Sequence, residues 1–144
     1  MKLVLVNTDI LSMFFRNDSN VVSHFKKYLA QYEKINLSII TYYEILSGLK
    51  HKEALRQLDM FLEFVKHNLI LPLTEESVTI SSDLYAKSRK SGNPVDDIDI
   101  LIAGVALSNN LTLVTNNEDR FKKVKNLNIL NWSTKAETLP DTID

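Results

Sequence analysis

The 144-residue chain has no cysteine, which excludes disulfides, thiolate metal sites and a cysteine nucleophile. Histidine is scarce: His24, His51 and His67 are scattered, so a histidine-based zinc site is not expected. Charge of one sign is also lacking. A formal net charge of -1 argues neither for a general nucleic-acid coat nor for an acidic, disordered protein. Long hydrophobic runs are missing, so nothing is expected to span a bilayer. The first apolar run is short and soon meets Asn7 and Asp9, unlike a signal peptide. The expectation is a cytoplasmic protein without a membrane segment. Repeats, linkers and low-complexity stretches are absent as well.

With 44% hydrophobic residues, one domain with its own core is expected. Leu3 to Val6 is a short continuous apolar run, the pattern of a central parallel strand buried on both faces. Asn7-Thr8-Asp9 follows at once, and Ile10, Leu11, Met13 and Phe14 take up helical spacing. Polar oxygens thus sit where a buried strand hands over to a helix, the edge at which open α/β sheets bind ligands.

The rest of the chain alternates in the same way. Helical spacing runs through Val22, Phe25, Leu29 and Tyr32 after a loop at Asn17-Asp18-Ser19-Asn20. Leu37 to Ile40 reads as a second strand, and a helix opening at Thr41 should stop at Gly48. Glu53 to His67 is an amphipathic helix with Leu55, Leu58, Leu62 and Val65 on its apolar stripe. Leu69 to Leu71 is a third strand, followed by a long helix from Thr74 to about Lys90. The Ser91-Gly92-Asn93-Pro94 break precedes an apolar helix over Asp96 to Leu107. Leu111 to Val114 is a fourth strand, Asn116 to Lys122 a short helix and Asn128 to Leu130 a last strand. The fold class expected is α/β, a three-layer α/β/α sandwich around a parallel sheet, with right-handed crossovers. The domain is expected over residues 1–133, with a loose polar tail at 134–144.

Acids and amides recur just after the strands: Asn7 and Asp9, Glu44, Asp96/Asp97/Asp99, and Asn117/Glu118/Asp119. Taken singly, each has a structural explanation. Thr41-x-x-Glu44 and Thr115-x-x-Glu118 fit capping boxes, and Asp96 and Asp99 suit the positive end of a helix. Taken together they should converge along one edge of the sheet, where like charges repel unless a cation lies among them. An oxygen-only donor set points to Mg²⁺ or Mn²⁺, and to attack of a metal-activated water on a phosphodiester.

Four segments resemble the motifs of PIN-domain nucleases, in that family's order. LVNTDILS is similar to the DTNILS or DTDILS opening, and LSIITYYEILSGL to the second acidic motif. GNPVDDIDILIAGVAL is close to the third and LTLVTNNEDRF to the fourth, followed by a Leu-Asn-Ile-Leu-Asn-Trp ending like that of VapC toxins. The likeness runs over about residues 1–133 and implies a sheet of order 3-2-1-4-5. It carries Glu44 and Asp99 over as the second and third acids, Asp97 as a less constant neighbour and Thr115 as a polar group beside the site. Asn117 or Asp119 holds the fourth position, with Asp119 preferred because it keeps the charge. The likeness further implies a Mg²⁺-dependent endoribonuclease toxin acting on RNA such as tRNA, a cognate antitoxin as inhibitor, and a homodimer.

One position departs from the family. Asn7 stands where the resemblance calls for the first catalytic, metal-binding aspartate. Asparagine keeps an acceptor oxygen but loses the charge and presents an NH₂ group. At an effective dielectric of ~20, a unit charge at about 4 Å is worth roughly 4 kcal/mol, on the order of a thousandfold in rate if lost from the transition state. Asp9 is not expected to substitute, because two residues on, the side chain points elsewhere. This implies a nuclease impaired at Asn7, by deliberate change or by natural decay. The competing readings are a non-catalytic PIN-type protein that binds RNA or antitoxin, and a phosphoryl-transfer protein with an aspartate nucleophile. The latter ranks last, because Val114-Thr115-Asn116 supplies no lysine after a late strand.

Two basic groups, Lys87/Arg89/Lys90 and Lys122/Lys123/Lys125, flank the third and fourth motifs and are expected to steer RNA. Met13, Phe14, Phe15, Met60, Phe61 and Phe64 are expected to form core and, by resemblance, part of an antitoxin groove.

Overall fold

The computed structural model describes residues 1–135. Five short strands, β1 (Val4–Val6), β2 (Asn36–Ser38), β3 (Leu69–Leu71), β4 (Thr112–Val114) and β5 (Ile129–Leu130), form one parallel sheet. Its order is β3-β2-β1-β4-β5, as the resemblance implied. Seven helices cover it among the described residues: α1 (Thr8–Phe15), α2 (Ser19–Gln31), α3 (Ile39–His51), α4 (Leu55–Lys66), α5 (Glu75–Lys90), α6 (Asp97–Ser108) and α7 (Glu118–Phe121). Of the tail expected at 134–144, residues 136–144 lie outside the described residues.

The alternation of β1 sorts the two cores. Val4 and Val6 face an aromatic cluster holding Phe25, Tyr28, Phe61 and Trp132, whereas Leu5 faces an aliphatic one with Ile102, Val105, Ala106 and Leu113. All three strand residues are buried, which is why the run is uninterrupted. On the aliphatic side α5 presses closely on α6. A Cβ on Gly104 would come within 2.0 Å of the Ser81 hydroxyl and 2.5 Å of the Ser77 carbonyl. Ser81 in turn donates to the Ile100 carbonyl at 2.9 Å. The first turn of α6, and with it Asp99, is held by this contact.

Several local expectations are corrected. The strand expected over Leu37 to Ile40 ends at Ser38, whose hydroxyl accepts the Thr41 N–H and caps α3. The Thr41–Glu44 capping box therefore does not form, and Glu44 is free for other partners. The helix passes through Gly48 to His51 and is closed instead by Glu53 at φ 53, in the left-handed region. Leu55 is 71% exposed rather than part of the buried stripe, because it opens α4, ahead of the turns that pack inward. Thr115 does not cap α7; Asn117 stands at that position without a side-chain bond.

Candidate active site

Three chain crossings bring polar groups to the carboxyl edge of β1. The first is the seam between β1 and β4. Thr115, fully buried, donates its hydroxyl proton to Asp9 Oδ2 at 2.9 Å. Its lone pairs receive the Asn7 Nδ2 group at 3.4 Å and the Asn117 backbone N–H at 3.1 Å, which saturates the hydroxyl. Asp9 also accepts from the Asn116 N–H at 2.8 Å and the Ile10 N–H at 2.8 Å. Its carboxylate ties the β4–α7 loop to the start of α1.

This network fixes how Asn7 lies. With the Thr115 proton given to Asp9, only a donor fits against Thr115, so the amide NH₂ takes that side. Asn7 Oδ1 is then left buried and without a hydrogen-bond partner, a costly state for an acceptor. An aspartate there would set two acceptors, at positions 7 and 9, in competition for one hydroxyl proton.

The second crossing joins α1 to α3. Thr8 donates to Glu44 Oε1 at 2.6 Å and lies 2.9 Å from the Thr41 hydroxyl. The third joins α6 to α7. Asp96 caps α6 by accepting the Ile98 N–H at 3.0 Å, and Asp99 sits one turn in, with 3% of its side chain exposed. Both Asp99 oxygens are held by Arg120, the Nε contact being 2.8 Å and the Nη2 contact shorter. Burial nevertheless pushes the Asp99 carboxyl above its usual range. Arg120 opposes that shift, while Asp96 and Asp9 add to it.

Glu44, Asp99, Thr115 and Asn7 therefore lie on the expected edge. Two other expected residues are turned away. Asp119 has 85% of its side chain exposed and pairs with Lys122 at 2.9 Å, which lowers its pKa by hydrogen bond and charge. Asp97 faces solvent and Arg89 at 3.4 Å. Asn117, the alternative to Asp119, has its backbone N–H at the site and an exposed residue surface. Two groups were missed from sequence, Thr8 and Arg120. Successive helical residues lie about 100° apart, so a turn that points Arg120 at Asp99 sends Asp119 outward.

Among the described residues, no three of His, Cys, Asp or Glu come together to hold a metal ion. A cage of carboxylates is thus not what this edge provides. Mg²⁺ does not need one, since it keeps several waters and takes one or two carboxylates. The orphaned Asn7 oxygen, Asp99 and Glu44 fit that sparse, all-oxygen role, provided Arg120 gives way at Asp99.

A parallel sheet with polar groups gathered at its carboxyl edge is where open α/β domains place their sites. The PIN-domain profile matches residues 4–127, so the chain belongs to the PIN-domain family. Within it, similar proteins include VapC ribonucleases. Ribonuclease VapC1 of Haemophilus influenzae is 25% identical over 134 residues, 90% of this chain and 97% of its own. The tRNA(fMet)-specific endonuclease VapC of Shigella flexneri is 32% identical over 101 residues, 69% of this chain and 76% of its own. Among solved structures, VapBC2 from Rickettsia felis, bound to a DNA fragment from its promoter, superposes with TM-score 0.81. It is 25% identical, covering 90% of this chain and 98% of that one.

Proposed function

We propose that this chain is a VapC-type endoribonuclease toxin whose cleavage is impaired by Asn7. The observation that carries the reading is the orphaned Asn7 oxygen, buried on the same sheet edge as Glu44 and Asp99. In the active form, position 7, Asp99 and Glu44 would hold Mg²⁺, or Mn²⁺, through their oxygens, and Asn117 is the candidate fourth group because Asp119 faces solvent and Lys122. The ion, when bound, supplies an acidified water and charge for the phosphodiester oxygens. Thr8 orients Glu44 by its 2.6 Å hydrogen bond. Thr115 and Asp9 fix the floor on which residue 7 stands.

The substrate is RNA, with tRNA the class suggested by the Shigella relative's name. The inhibitor is a cognate antitoxin. A cavity of about 500 Å³ lined by Phe15, Ile45, Met60 and Phe61, with Arg16 and Arg56 at its rim, suits an acidic amphipathic helix. Phe14, Phe15, Phe61 and Phe64 are packed on one another there, so the groove is an extension of the core. The homodimer and cytoplasmic location expected above belong to the same reading. Among the described residues, no helix is long and apolar enough to cross a membrane.

The test is RNA cleavage by this chain and by Asn7→Asp, side by side with Mg²⁺, Mn²⁺ or EDTA. Metal-dependent cleavage by Asn7→Asp, on the order of a thousandfold above this chain, is expected. No cleavage of total RNA by either folded, antitoxin-free protein overturns the reading and favours a non-catalytic binding protein.

A further inference from the structure

A second cavity, of about 650 Å³, lies outside the acidic edge and is the larger of the two. That volume is within the range of ligand clefts. One wall is the face of α5 that carries Leu84 and Lys87, and the other is the segment after α7 with Lys123, Val124 and Lys125. Of the two basic groups that flank the third and fourth motifs, Lys87 from the first and Lys123 and Lys125 from the second meet across this space. Three lysines line it against one acid, Asp83. Lys123 also donates to Asn93 Oδ1 at 2.6 Å, tying the two walls together at one end. The same end carries Val95, which lines the cavity, and the next residue, Asp96, caps α6.

We infer that this cavity holds the single-stranded RNA flank next to the scissile phosphate, with its phosphates on Lys87, Lys123 and Lys125 and its riboses and bases over Leu84, Val95 and Val124. The inference rests on the endoribonuclease reading and extends it to the path of the substrate. RNA is favoured over an acidic peptide by position: Val95 and Ile100 line the cavity, and the chain between them carries Asp96 and Asp99. No aromatic residue lines it, so base stacking contributes little and the binding is governed by charge. It is therefore steeply salt-dependent and tolerant of sequence. A duplex is disfavoured, because a cleft of this size admits one strand.

The test uses the present chain, free of antitoxin, because Asn7 allows binding to be followed with little cleavage. Binding of a fluorescein-labelled single-stranded RNA dodecamer of mixed sequence is measured by anisotropy over a salt series. Lys87→Glu/Lys125→Glu is compared with Lys26→Glu/Lys27→Glu, a control pair exposed on α2. The cavity pair is expected to weaken binding by roughly tenfold at 0.1 M salt. It should also flatten the slope of log K against log salt by about 1.4, at about 0.7 per lost phosphate contact on a single strand. The control pair should change neither. Equal losses in both pairs, no loss in the cavity pair, or no binding by the parent chain overturns the inference. So does retained RNA binding with lost binding of an acidic peptide. Because the lysines are exposed, unchanged thermal melts are expected, and Lys87→Gln/Lys125→Gln gives a milder version of the same shift. If Asn7→Asp cleaves RNA equally well with and without the cavity substitutions, the path fails while the nuclease reading stands. If Asn7→Asp does not cleave at all, it is the nuclease reading that fails.

Discussion

Asp9 and Asp99 lie on the same sheet edge, close enough that the Asp9 charge helps raise the Asp99 pKa, yet they are held in opposite ways. Asp9 accepts three hydrogen bonds, two from backbone N–H groups and one from a buried hydroxyl. None of these donors can leave without moving the chain, so Asp9 is part of the framework. Asp99 is held by one side chain, Arg120, which is 47% exposed and flexible along its length. A partner of that kind can swing aside for a cation or a phosphate. The contrast teaches how a structural acid differs from an available one: what matters is whether its partners are fixed by the fold. Coulombic proximity does not distinguish the two, and neither does burial alone.

The sharpest way to break this contrast is to remove the framework acid. Asp9→Ala leaves two backbone donors and the Thr115 hydroxyl without their acceptor, and is expected to destabilise by about 2–3 kcal/mol in urea unfolding. A loss under 0.5 kcal/mol would mean that solvent replaces Asp9 freely and that it belongs with the available groups. Next in size is Gly104→Ala, which tests the support of the other acid. Its methyl meets the Ser77 backbone carbonyl, which cannot retreat, so a loss of about 1–3 kcal/mol is expected. Ser81→Ala in the same chain should recover little of it. Full recovery would show that α5 shifts easily on α6.

The smallest expected effect is the most discriminating. Burial raises the Asp99 pKa, so the folded chain binds this proton more readily than the unfolded chain does. Stability from this group is then complete below the unfolded value of about 3.9 and is lost as pH rises through the folded one. In EDTA, Asp99→Asn should gain in melting temperature relative to the parent as pH rises from about 4 to 7. If the parent gains instead, the Arg120 contact outweighs desolvation, and Asp99 is held more firmly than its single partner suggests.

Much of this was written in the sequence. The apolar run at Val4 to Val6 fixed a central strand, because only a strand buried on both faces needs no polar residue. The alternation of short strands and helices fixed the α/β class, and the four motifs placed Asn7, Glu44 and Asp99 along one edge. Where local rules failed, at the Ser38 cap and the passage through Gly48, neighbours a few residues away offered the chain a better bond.

Only the tertiary structure decided which of the polar groups are engaged. That Asp9 is held by the β4–α7 loop, that Thr115 has one proton and gives it away from residue 7, and that Arg120 rather than Asp119 faces the site are all outcomes of contact between distant segments. The meeting of Lys87 with Lys123 and Lys125 across a cavity is another. Periodicity in a sequence reports which side of an element is buried. Hydrogen bonds and charge pairs are settled over a few ångströms, and their partners come from elsewhere in the chain.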